Sequence, residues 1–107
     1  MSAEKIRALN DAFRTTMTGG KVFLTAGVDA LPSDVKAIVI RRVATFSEFT
    51  PENDPHREHD FGNFSLDGRK FLWKIDYYDA NMEFVSEDPA DPSKTTRVLT
   101  IMFVSEY

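Results

Sequence analysis

The chain has 107 residues, a net charge of −4 and 42% apolar residues, which suits one compact domain, residues 1–107, with a single core. It has no Cys, so disulfides, thiolate metal sites and Cys nucleophiles are excluded. The acidic balance argues against a general nucleic-acid binder, no apolar run approaches the roughly 20 residues of a membrane span, and MSAEKIRALNDAF lacks the apolar region of a signal peptide. A cytoplasmic protein that is not membrane-bound is the expectation.

In chain order, Ile6, Leu9, Phe13 and Met17 recur at helical spacing and predict an amphipathic helix over 3–17. Gly19-Gly20 ends it. KVFLTA (21–26) reads as a strand. Gly19-Gly20-Lys21 leads into that strand rather than opening a helix, so it is a loop and not a phosphate-binding motif. Ser33 is placed to cap a second helix, with Asp34 in its first turn and a stripe of Val35, Ile38, Val39, Val43 and Phe46. Pro51 stops that helix near Phe49.

Leu66-Asp67-Gly68-Arg69 is the clearest local signal. Asp-Gly between two aromatic runs predicts a two-residue hairpin turn of type I′. The register follows: Leu66 opposite Arg69, Phe64 opposite Phe71, Gly62 opposite Trp73, and, continued outward, His59 opposite Asp76. Phe64, Leu66, Phe71, Trp73, Ile75 and Tyr77 then share a core face, with Gly62 leaving room for the indole. Phe61, Phe71 and Trp73 are read as core or sheet aromatics, not as base-stacking platforms, because no basic motif accompanies them. MEFVS predicts a short strand or bulge, and TTRVLTIMFVSEY a last strand over 96–104 with apolar residues on both faces. The order α-β-α-β-β-β predicts an α+β fold: a mostly antiparallel sheet of about four strands with two helices, both in the N-terminal half, on one face.

Chemistry concentrates in NDPHREHDFG (53–62), which holds both histidines. His and carboxylate together suit Zn, Mn or Fe, and the extended register brings Asp76 across from His59. The minimal metal set is His56, His59 and Asp76, and the acid/base candidates are Glu58, His59 and Asp60. Such a site, over residues 54–60 and 76, would make the protein a metal-dependent hydrolase or nuclease. The alternative reading is a polar loop with a structural His59–Asp76 pair and no cofactor. Asp60 falls on the core face opposite Ile75, where it needs a partner such as Arg97 or Arg69, or becomes a carboxylate with a raised pKa.

From Ile75 to Ser93 there are six acids and no Lys, Arg or His. This predicts a patch for a protein partner, through Asp79, Glu83, Glu87, Asp88 and Asp91, as the first functional expectation. A homodimer through an aromatic sheet face is a weaker one.

Three blocks, NDPHREHDFGNF, FLWKIDYYD and SEDPADPSKTTRVLTIM, with IRALNDAFR and KVFLTAGV before them, resemble an uncharacterised domain-of-unknown-function family of small proteobacterial proteins, often plasmid-borne. The resemblance runs from Ile6 to Tyr107. It brings no activity. It implies a context, accessory genes of mobile elements, some of which act against host defence. It also implies that the positions of Asp54, Pro55, His56, Glu58, His59, Asp60, Phe61 and Gly62 belong together, as do those of Asp76, Tyr77, Tyr78 and Asp79.

Overall fold

The computed structural model describes residues 2–107. Helix α1 spans Ser2–Thr16 and strand β1 Lys21–Leu24. A one-turn helix α2, Ala26–Asp29, follows, and then α3, Ser33–Ala44. Strands β2 (Phe61–Leu66), β3 (Arg69–Tyr78) and β4 (Thr96–Phe103) complete the sheet, and Val104–Glu106 forms a terminal 3-10 turn. The class is α+β, as expected, with all three α-helices in the N-terminal half.

The hairpin register is the predicted one over its central part. Asp67 and Gly68 both take positive φ, 51° and 77°, as a type I′ turn requires. Phe64 pairs with Phe71, Gly62 with Trp73 and Phe61 with Lys74. The indole fills the space above Gly62, where an added Cβ would lie 2.5 Å from Trp73 Nε1 and 2.8 Å from Phe46 Cε1.

The strand order is β1-β4-β3-β2, with β4 antiparallel to β3 and parallel to β1. β4 is therefore central, which explains its apolar character on both faces. One face of the sheet carries Phe64, Phe71, Trp73, Ile75, Leu99 and Ile101, packed against Phe13 of α1, Val28 of α2, Val39 and Val43 of α3, and Phe46. This aromatic face is interior. Alternation puts Phe23, Leu72, Lys74, Asp76, Val98, Thr100 and Met102 on the opposite face.

The strand predicted over 21–26 stops at Leu24, and Ala26–Asp29 forms a third helix where the predicted order had two. Two boundaries of α3 also shift. Pro32, not Ser33, precedes the first residue of α3, and no side chain caps that end. α3 also stops at Ala44 rather than near Phe49. There the Arg14 guanidinium of α1 donates to the carbonyls of Val43 (2.7 Å), Ala44 (3.1 Å) and Phe46 (3.0 Å). Val43 and Ala44 lie in the last turn of α3, whose carbonyls have no i+4 amide within the helix. A buried arginine from another helix thus closes α3 and releases Phe46 and Phe49 to pack edge-on against Trp73. Among the described residues, no helix is long and apolar enough to cross a membrane.

Candidate functional site

The segment between α3 and β2 lies against α1. Asp54, 6% exposed, organises it. Its Oδ1 accepts the backbone amides of Glu58 and His59, each at 3.1 Å. Its own amide donates to Thr50, and its carbonyl accepts from Arg57. The loop so closed holds two non-glycine residues at positive φ, Arg57 at 57° and His59 at 55°. That region of backbone space is disfavoured for residues with a Cβ, so surrounding contacts must hold it.

The left-handed turn at His59 overturns the predicted His59–Asp76 pair. Strand pairing continues one residue past Phe61, where the Asp60 carbonyl accepts from the Ile75 amide at 2.8 Å. At His59 the chain turns away and carries the ring to α1. His59 Nδ1 donates to the Asp11 carboxylate at 2.8 Å, and the ring stacks on Phe49, with centroids 3.7 Å apart and planes 2° from parallel. Its Nε2 lies 3.6 Å from Asp54 Oδ2. Asp76, on the open sheet face, pairs with Lys74 instead. His56 is exposed. His56, His59 and Asp76 therefore do not converge. Among the described residues, no three His, Asp or Glu side chains come together in an arrangement that could hold a metal ion.

Behind the loop lies a second polar layer. Asn10 is fully buried and joins four segments. Its Nδ2 donates to the Glu58 carbonyl at 2.9 Å and to Tyr77 Oη at 2.8 Å, and its Oδ1 accepts from Arg97 Nε at 2.7 Å. The Tyr77 hydroxyl in turn donates to Glu58 Oε1 at 2.8 Å. Burial, and the Glu58 carboxylate that accepts its proton, hold the Tyr77 phenol well above its usual range, so it serves as a donor and not as a base. The Arg97 guanidinium, 4% exposed, lies 5.3 Å from the Tyr77 ring centroid and donates to the Pro89 carbonyl. Arg97 is thus occupied elsewhere and is not the partner expected for Asp60. Burial, reinforced by the charge of Glu58, raises the Asp60 carboxyl above the usual carboxylate range. Of the three acid/base candidates, Glu58 accepts from Tyr77, His59 is tied to Asp11, and half-buried Asp60 lines a small cleft with Asp76, Tyr77 and Tyr78.

Asn10 and Asp11 were not legible as site residues from spacing, although one signal was present. Asn10 sits four residues after Ile6 and three before Phe13, inside the apolar stripe of α1. A polar residue on a buried stripe demands partners.

The acidic segment forms a separate feature. Three of its acids are used locally. Asp79 Oδ1 accepts the Glu83 amide, Asp88 Oδ1 the Ala90 amide, and Asp91 Oδ1 both the amide and the hydroxyl of Ser93. The Ser93 bonds hold the Asp91 carboxyl below its usual range. Glu83 and Glu87 are exposed, and Glu87 lies 3.7 Å from Lys94. Between them Phe84 and Val85 stand 69% and 78% exposed, although Val85 bridges to Tyr78 of β3. MEFVS is thus a projecting turn held by an isolated bridge, and not a strand.

These features define a small α+β protein with a loop pinned to its first helix and an acidic, apolar-tipped projection beside its sheet. The chain belongs to the family described as Protein of unknown function (DUF3768), whose match covers residues 24–106, a narrower span than the resemblance drawn from Ile6 to Tyr107. Searches of curated proteins and of solved structures gave no match.

Proposed function

We propose that the protein is an interaction module that docks on a protein partner through the Met82–Glu87 projection. The observation that carries this reading is the exposure of Phe84 and Val85, 69% and 78%, side by side between Glu83 and Glu87. Isolated apolar residues on a surface are ordinary, but two adjacent large ones on a projecting turn, rimmed by acids, have the layout of an interface centre with a charged rim. The complementary partner presents an apolar pocket with a basic margin. The exposed acids steer its approach and the apolar pair fills the pocket. The mobile-element context that the resemblance implies, with host-defence components among the targets, is part of this proposal.

The test separates the two contributions. Phe84→Ser with Val85→Ser removes the anchor, and Glu83→Lys with Glu87→Lys reverses the rim without touching the turn-forming Asp79, Asp88 and Asp91. Both variants are expected to keep the wild-type melting temperature. Each is expected to lose a stoichiometric partner captured from lysate of the source cells, the second more severely at low salt. Capture that survives both pairs of substitutions rules out the projection as the contact. Light scattering on the isolated protein identifies the case in which the partner is a second copy.

A further inference from the structure

We propose that the groove between α1 and residues 49–59 binds a small phosphate-bearing ligand. The groove has a volume of about 470 Å³ and is lined by Arg7, Phe49, Pro51, Pro55, Arg57 and His59, with Asp54 at its base. That volume is in the range of small-molecule sites.

Charge pairing within the groove points to an anion. Asp54 Oδ1 is already engaged by two backbone amides. Asp11 is shared between His59 and Arg14, the latter at 3.3 Å. Among the described residues, neither Arg7 nor Arg57 has a carboxylate within ion-pair distance, so two guanidinium groups line one groove outside any ion pair. His59 Nε2 has no hydrogen-bond partner among the described residues either, because Asp54 Oδ2 stands 3.6 Å away. Arg7 and Arg57 thus leave guanidinium donors free toward one space.

Phosphate matches this set better than carboxylate does. It offers more acceptor oxygens, arranged tetrahedrally, and the guanidinium fork suits a phosphate edge. Phe49, Pro51 and Pro55 supply an apolar wall for the body that carries the phosphate. The groove is also held in shape before any ligand arrives. Arg7 Nη1 donates to the Arg57 carbonyl at 3.1 Å, the His59 ring is clamped by Asp11 and Phe49, and the positive φ at Arg57 and His59 is held by Asp54. A preorganised loop of this kind avoids the ordering cost of binding.

The experiment is an amide chemical-shift titration of the labelled protein with inorganic phosphate, phenyl phosphate and, as an uncharged control, phenol. Saturable shifts at Arg57, Glu58 and His59 are expected with both phosphates, with phenyl phosphate the tighter, and none with phenol. The Arg57 side chain makes no hydrogen bond or ion pair among the described residues, so Arg57→Gln is expected to melt as wild type does and to weaken both phosphates by about tenfold or more. Arg7→Gln is expected to weaken them equally, its lost bond to the Arg57 carbonyl being read separately from the melt. Absence of saturable shifts with either phosphate, equal affinity in Arg57→Gln, or equal shifts with phenol would each overturn the proposal. The Met82–Glu87 projection is a different surface, so failure here leaves that reading standing, and the reverse holds.

Discussion

Replacing Asn10 by Ala should be among the most damaging single changes to this protein. The side chain is fully buried and makes three hydrogen bonds, to the Glu58 carbonyl, Tyr77 Oη and Arg97 Nε. Its removal leaves a charged guanidinium N–H buried without an acceptor, at a cost of about 2–3 kcal/mol. Glu58 and Tyr77 are half-buried, so water partly replaces their lost partner, adding about 1–2 kcal/mol together. The expected loss is about 3–5 kcal/mol, a large share of the roughly 5–15 kcal/mol that stabilises a typical domain. For a chain of this size that is a fall in Tm of roughly 12–25 °C. The assay is urea and thermal unfolding followed by far-ultraviolet circular dichroism. Because Tyr77 shares the network, Tyr77→Phe and Asn10→Ala should be less than additive when combined. A loss below about 1 kcal/mol, or strict additivity, would show that Asn10 does not bridge α1, the 54–59 loop and the sheet.

Three further outcomes are expected. Gly62→Ala forces its new methyl onto the Trp73 indole and the Phe46 ring, and should destabilise by about 1–3 kcal/mol in the same unfolding assay, whereas Gly68→Ala meets no atom within 4 Å and is opposed only by its φ of +77°. Asp60→Asn should stabilise the fold at neutral pH. The folded-state pKa of Asp60 is raised, so the folded state holds its proton to higher pH than the unfolded chain, and wild-type stability falls as pH rises through that window. The advantage of the Asn variant should therefore shrink as the pH of the unfolding buffer is lowered toward the ordinary Asp range, and a pH-independent advantage would refute this reading. Glu106→Ala should lower Tm, because that carboxylate accepts from the Thr25 hydroxyl and from the amides of Gly27 and Phe103. Those bonds depress its pKa, so the wild-type advantage should be present near neutrality and disappear in acid as the carboxylate protonates.

Local chemistry by itself determined a good part of this molecule. Asp67-Gly68 accepts the positive φ of a tight hairpin wherever it occurs, so the pairing of Phe64 with Phe71 and of Gly62 with Trp73 was written in neighbouring residues. The apolar period of 6–17 defined α1, and the two-sided apolar character of 96–103 required a central strand. The candidate site was not legible in the same way. Its histidine belongs to Asp11, 48 positions earlier, and no spacing rule connects them. The extrapolated strand failed at His59 because one left-handed residue, held by Asp54, redirects the chain, and a two-residue alternation carries no warning of such a turn. The early end of α3 depended on a guanidinium from another helix, and the parallel placement of β1 beside β4 on the path of the whole chain. Backbone preferences act over a few residues and can be read from them. A buried polar group takes whichever partner the packing brings within 3 Å, so the partners of His59, Asn10, Arg14 and Arg97 were decided only when the helices met the sheet.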